Sequence, residues 1–194
     1  FYIASATKPI FALSMLLAES NGKFNMDTNL QSAFPSLAFS GFDAKAIKLK
    51  DFLTHTSGVE NNALVWATAM SGIHGANSRL TMVADSHSST EAAYGTFNYT
   101  NVGYNLLSVW LEHAHTTSWQ KQVQDTVLTP LGMTHSSPYM SEAHAKKWAL
   151  AKPYSALSHD STTPLYLEKV DQTMHAAGGL VATAPDLAKF LMTQ

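Results

Sequence analysis

Cysteine is absent from the 194 residues. That excludes a disulfide, a thiol nucleophile and a cysteine-based zinc site. Charge is scarce as well: Asp, Glu, Lys and Arg make up 13%, against roughly 25% in ordinary globular domains. Ser, Thr, Asn, Gln and His must therefore clothe much of the surface. No run of Lys or Arg occurs and the formal net charge is −2, which argues against nucleic acid as a partner. No apolar run reaches the roughly 18 residues that cross a bilayer. The most apolar stretch, IFALSMLLA at 10–18, is short and interrupted by Ser14. The Gly-x-Ser-x-Gly elbow of α/β-hydrolases is missing. Nine His are present, but none falls in His-Glu-x-x-His or another dense ligand spacing. His113 and His115, two apart, lie on different helix faces. Gly178-Gly179 is not followed by Lys-Ser/Thr and makes no phosphate loop. Neither a metal nor a cofactor is expected.

What is present is a core. Hydrophobic residues make up 45% of the chain, enough for one domain. A first helix is expected from Ser5 or just before it, with Pro9 in its opening turns. Its apolar residues point all round, as in a buried, central helix. Asn21-Gly22 should end it, with Gly22 in the left-handed position. Residues 23–48 read as irregular. A short helix at 49–54 should end in the turn His55-Thr56-Ser57-Gly58. Small helices are expected near 62–70 and 78–84, then a polar loop at 85–96. NYTNVGYNLLSVWLEHAH at 98–115 reads as a loop entering a helix, because Val102, Leu106, Val109 and Trp110 recur at helical spacing. SWQKQVQDTVLTPLGM at 118–133 is an amphipathic helix closed by Pro130 and Gly132. Residues 134–170 read as loop-rich, with strands only weakly signalled. HAAGGLVATAPDLAKF at 175–190 gives a glycine turn, then a helix started by Thr183 with Pro185 near its first position. Trp66, Trp110, Trp119 and Trp148 are expected to be core or half-buried. The sum is a mostly helical piece with few strands.

Ser-x-x-Lys occurs three times, at Ser5/Lys8, Ser20/Lys23 and Ser118/Lys121, so spacing alone proves nothing. Ser20/Lys23 spans a helix stop. Ser118 reads as an N-cap, with Lys121 a surface charge. Ser5/Lys8 opens the apolar helix, and residues i and i+3 share a face. The helix N-terminus favours an oxyanion near Ser5. The same dipole and partial burial disfavour a charged Lys8, and a neutral Lys accepts a proton from Ser. A capping Ser with an incidental Lys is the plainer alternative. A second group is Tyr99-Thr100-Asn101. A phenol serves as a base or relay where cations lower its pKa. Asn101 offers a donor and an acceptor; the plainer reading is a loop Tyr packed on the core with Asn101 capping the following helix, and the cap does not exclude the functional role.

Ser5-Ala-Thr-Lys8, LTHTSG at 53–58, Tyr99-Thr-Asn101, PLGM at 130–133 and AAGGL at 176–180, in this order, resemble the serine β-lactamase and penicillin-binding-protein superfamily. The likeness covers essentially the whole chain. It falls on the class C β-lactamase, DD-peptidase and esterase side, since class A members carry Ser-Asp-Asn where Tyr-x-Asn stands here. The resemblance implies an α/β (α+β) fold with an antiparallel sheet flanked by helices. It implies a serine hydrolase acting on a β-lactam, a D-Ala-D-Ala peptide or a small ester through a Ser5 acyl-enzyme. Lys8 and Tyr99 would share general-base and general-acid duty, Asn101 would hold substrate, and the Ser5 N–H would supply one oxyanion donor. A periplasmic or secreted setting follows from the resemblance alone. A non-catalytic penicillin- or peptidoglycan-binding relative is the alternative.

The family's third motif, Lys or His, then Ser/Thr, then Gly, has no good candidate. His55-Thr56-Ser57-Gly58 matches as letters but precedes Tyr99. The chain is therefore expected to be a single incomplete domain over 1–194, with its first strands upstream of Phe1 and its third motif beyond Gln194. By itself it should be nearly inactive. Partners are expected to be small-molecule or peptide substrates. Oligomeric state is left open by the sequence.

Overall fold

The protein is described by a computed structural model covering residues 1–155, 162–164 and 168–194. Its helices, in chain order, are α1 Thr7–Ser20, α2 Leu30–Ala33, α3 Leu49–Leu53, α4 Asn62–Trp66, α5 Ala76–Ala84, α6 Val102–His115, α7 Trp119–Val123, α8 Met140–Ala145 and α9 Ala184–Leu191. Two-residue strands β1 Val59–Glu60 and β2 His87–Ser88 pair antiparallel, Val59 with Ser88 and Glu60 with His87. Among the described residues the chain is helix-rich with few strands, the mostly helical piece that the sequence predicts.

Helices α1 and α6 form the centre. Ile10, Phe11, Met15 and Ala18 of α1 are fully buried, as are Leu106, Leu107, Val109 and Leu111 of α6. Helix α1 begins after a 3-10 turn, Ala4–Ala6, so Ser5 sits on the turn and Lys8 on the first turn of the helix proper. Gly22 takes φ +69° and closes α1, its N–H donating to the Glu19 carbonyl. One expectation is corrected: α1 is not buried all round. Leu16 is 50% exposed and Leu13 and Leu17 only partly covered, because the neighbouring helices pack on the side of Phe11 and Met15.

Helix α3 crosses α6 at a close point. A Cβ at Gly103 would lie 2.8 Å from both the Cβ and the carbonyl oxygen of Phe52, so glycine is what lets the backbones meet. This contact delivers the loop before α6, carrying Tyr99 and Asn101, to the start of α1. Helices α4 and α7 each run on into a π-turn, Ala67–Ser71 and Gln124–Leu128. Ser118 caps α7 by accepting from the Lys121 N–H, and Lys121 pairs with Asp125 in solvent at 2.6 Å. That helix is more buried than its glutamines implied, for Trp119, Gln122 and Val123 all face inward. Trp66 is also corrected: it is 63% exposed, whereas Trp110 and Trp119 are core.

Within 134–170 the loop reading missed α8. A strand expectation there partly falls on residues 156–161 and 165–167, outside the described residues. Thr183 caps α9 by accepting from Asp186 N–H, with proline in the first turn. Val181 forms isolated bridges with both Tyr2 and Ser137. These bridges hold the chain entering α1 against the segment 175–182.

Candidate active site

Four chain segments meet at the N-terminal end of α1. The Lys8 ammonium nitrogen is the hub. It lies 3.1 Å from Ser5 Oγ, 2.8 Å from Asn101 Oδ1 and 2.8 Å from the Ala177 carbonyl oxygen. It also sits 4.7 Å from the centre of the Tyr99 ring and 5.6 Å from that of Tyr104. Lys8 is 4% exposed, while Ser5 is exposed. The structure thus brings Ser5, Lys8, Tyr99 and Asn101 together.

The hydrogen-bond inventory of an amine gives this geometry a chemical reading. An ammonium has three N–H donors and no lone pair; a neutral amine keeps two donors and gains one acceptor. Two of the three oxygens around Lys8, those of Asn101 and Ala177, accept only. They bind N–H in either state. The third neighbour, Ser5 Oγ, both donates and accepts, so a neutral Lys8 directs its lone pair at the Ser5 hydroxyl. Burial holds the Lys8 pKa below its ordinary value, opposed by its interactions with Tyr99. Burial also acts to raise the Tyr99 phenol, but its interactions with Lys8 and Ser5 and the Lys8 charge outweigh that and bring it below the ordinary value. Base strength and charge are thus shared between the two groups.

The supports of this hub come from several elements. Ala4, directly before Ser5, has φ +47°, a left-handed conformation that costs a non-glycine residue about 1–3 kcal/mol. Asn101 stands at the N-cap position of α6, yet its side chain makes no capping bond there. Its oxygen goes to Lys8, and Thr100 Oγ1 accepts from the Val102 N–H at 3.2 Å. The capping alternative for the Asn101 side chain is thereby corrected: Lys8 takes the oxygen, and a neighbouring hydroxyl serves the helix. The Ala177 carbonyl is aimed by a tight turn in which the N–H groups of Gly178 and Gly179 both donate to the His175 carbonyl, at 2.9 and 2.6 Å. A Cβ at Gly179 would overlap the Met174 and His175 backbone. Thr7 Oγ1 accepts from the Leu180 N–H at 3.1 Å, tying this turn to α1.

Three residues at the site escaped the sequence reading. His55, in the HTSG turn, has φ +60° and lays its ring against Tyr99 and Tyr104, with centres 4.7 and 5.4 Å apart. Its Nδ1 accepts from the Thr100 N–H at 3.3 Å. Tyr104 donates its phenol to the Leu53 carbonyl at 3.0 Å, and burial pushes it up to about 12. His175 is 7% exposed and donates from Nδ1 to Asn105 Oδ1 at 3.1 Å. Burial first, then the charges of Lys169 and Lys8, push it down to about 4. Aromatic type and an adjacent HTSG turn were the only local signals for the first two. His175 had none beyond its place before the glycine pair.

A family model described as Beta-lactamase matches residues 1–194. The Bacillus subtilis (strain 168) protein PbpX is 24% identical over 191 residues, covering 98% of this chain and 45% of its own length. The D-amino acid amidase of Ochrobactrum anthropi SV3 superposes with a TM-score of 0.72 at 23% identity, over 98% of this chain and 55% of that one. The octameric penicillin-binding protein homologue of Pyrococcus abyssi superposes at 0.74 and 24%, over 98% and 44%. The chain spans less than half the length of the curated relatives it matches. Among the described residues no helix is long and apolar enough to cross a membrane.

Proposed function

Because this chain belongs to the beta-lactamase family along residues 1–194, within the serine β-lactamase and penicillin-binding-protein superfamily, we propose that it carries the nucleophile half of a serine hydrolase. The branch is the class C-related one, and the bond cleaved is an amide or ester. The observation that carries this reading is the Lys8 amine, buried and placed 3.1 Å from the exposed Ser5 hydroxyl.

In this reading Ser5 Oγ attacks the substrate carbonyl carbon while its proton passes to the Lys8–Tyr99 pair. The tetrahedral intermediate collapses, the carbon–nitrogen or carbon–oxygen bond breaks, and the same pair returns the proton to the leaving group. Water then attacks the acyl-Ser5 ester, frees the acid and restores the hydroxyl. Asn101 keeps Lys8 in register and holds the substrate amide. The Ser5 N–H, at the N-terminal end of α1, is one oxyanion donor. In this reading the third motif and the second oxyanion donor, for which residues 1–194 offer no good candidate, would belong to the part of the relatives' length that this chain does not span. This fits a chain that spans less than half of its relatives' length.

The amidase among the structural neighbours supports amides as a substrate class alongside β-lactams, D-Ala-D-Ala peptides and small esters. The penicillin-binding protein homologue supports the second reading, a protein that binds penicillin or peptidoglycan without fast turnover. One experiment separates them. The full-length protein is incubated with a fluorescent penicillin and its mass followed in time. A covalent gain on Ser5, abolished by Ser5→Ala, is expected. Rapid loss of the adduct marks a hydrolase, slow loss a binding protein, and no adduct on Ser5 removes both readings.

A further inference from the structure

Tyr99 needs more support than its own packing gives. It sits on the loop before α6 and is 52% exposed, so burial alone leaves the phenol free to turn away from Ser5 and Lys8. His55 supplies the support from both sides. Its carbonyl accepts from the Asn98 N–H at 2.9 Å, and its ring Nδ1 accepts from the Thr100 N–H at 3.3 Å. One residue thus grips the backbone immediately before and immediately after Tyr99. We infer that His55 is a positioning residue for Ser5 acylation, and that its neutral Nδ1 is the latch that keeps the Tyr99 phenol turned to Ser5 and Lys8. The inference rests on the Ser5 hydrolase reading and adds a residue to its machinery.

The latch has a rigid backing. The His55 ring lies against two tyrosine rings, 4.7 Å from the centre of Tyr99 and 5.4 Å from that of Tyr104. Tyr104 is buried, packs at 6.0 Å on Phe11 of α1 and donates to the carbonyl of Leu53 at the end of α3. The helices that frame the site therefore back the imidazole. Its own backbone shows the demand placed on it. With φ +60° His55 takes the left-handed conformation, which is uncommon outside glycine, asparagine and a few other polar residues. In that conformation its carbonyl and its ring reach the same stretch of chain, at Asn98 and Thr100.

The chemistry of the latch follows from the donor count. A backbone N–H only donates, so Nδ1 must keep its lone pair and the ring proton sits on Nε2. Protonating Nδ1 would set N–H against N–H and open the latch. It would also bring a second cation near Lys8. The titratable groups that face the ring are Lys8 from α1, Tyr99 from its loop and Tyr104 from α6. Burial first, then the Lys8 charge, hold His55 below its ordinary 6.5, so the ring is neutral and the latch closed at neutral pH. Burial pushes Tyr104 up to about 12, which leaves it an uncharged wall.

The test uses the full-length protein, with covalent labelling of Ser5 by a fluorescent penicillin as the readout. His55→Gly relieves the backbone and deletes the latch. His55→Asn restores an acceptor near the Nδ1 position, and asparagine also tolerates the left-handed conformation. At neutral pH, acylation should slow by about tenfold or more in the Gly variant and stay within about threefold of wild type in the Asn variant. In a Tyr99→Phe background the Gly change should slow acylation by less than about twofold, since the latch then has no phenol to place. Below the ordinary histidine value of 6.5, the wild-type rate should fall more steeply with acid than that of the Asn variant, which has no imidazole to protonate. A Gly variant as fast as wild type overturns the inference, as does an Asn variant as slow as the Gly one. So does an equal loss with and without the Tyr99 phenol, or parallel acid profiles for wild type and the Asn variant. Should the Gly variant not fold, the acid profiles decide. If Ser5 is labelled and these differences are absent, the hydrolase reading stands and the latch alone fails. If Ser5 takes no penicillin, both fail together.

Discussion

Lys8 is 4% exposed and yet surrounded by three oxygens. Burial lowers its pKa, and only its neutral form takes the Ser5 proton. Acylation by penicillin should therefore rise with pH through a midpoint below the ordinary lysine value of 10.5. A pH–rate profile of adduct formation in the full-length protein checks this; a midpoint at or above the ordinary value would contradict it. Lys8→Arg keeps a charge but cannot deprotonate, and should slow acylation by about 10²–10⁴-fold. Tyr99→Phe separates chemistry from packing. It removes the phenol while keeping the ring beside His55, at a position 52% exposed. Acylation should fall by a similar factor, with the thermal midpoint unchanged. At this scale Ser5, Lys8, Tyr99 and Asn101 were singled out by the ordered set of motifs rather than by spacing alone, and the structure brings them together around the Lys8 amine. His55, Tyr104 and His175 were not, since their roles come from what they touch rather than from what they are.

Element boundaries were most legible where polar punctuation is strong. Gly22, Ser118 and Thr183 sit where the sequence placed them, because a left-handed turn or a side-chain cap is a property of one residue and its neighbours. Helix α8 was missed because Met140–Ala145 is six residues, too short to display a 3.6-residue period. The π-turns were missed because they alter hydrogen bonding without altering the apolar pattern. The α3–α6 crossing is the joint on which the site depends. Gly103→Ala would press a methyl into Phe52, which is 1% exposed. Urea unfolding should show a loss of about 1–3 kcal/mol, the usual range for overpacking. Penicillin acylation should fall more than that loss alone predicts, because the same contact positions Tyr99 and Asn101.

For the whole molecule, His175 links the site to stability. Its folded pKa of about 4 lies below the ordinary 6.5, so between those values the unfolded chain binds a proton that the folded chain refuses. Stability must rise with pH across that window, by up to about 3 kcal/mol, and the contribution is lost as pH falls through it. Urea midpoints measured from pH 4 to 7 should show the slope, and His175→Asn should flatten it. The 194-residue chain alone should form little penicillin adduct under conditions where the full-length protein is labelled, because one oxyanion donor is expected to lie outside it; equal labelling would refute the incomplete-domain reading. By itself the sequence determined the helical character, the central place of α1 and the identity of the polar groups, since these follow from local periodicity and residue chemistry. Only the tertiary structure decided that Lys8 faces Ser5 rather than solvent and that Asn101 abandons its cap for Lys8. Those facts depend on segments 93 and 169 residues apart along the chain meeting at Lys8, and such long-range juxtapositions are set by packing, which no local pattern encodes.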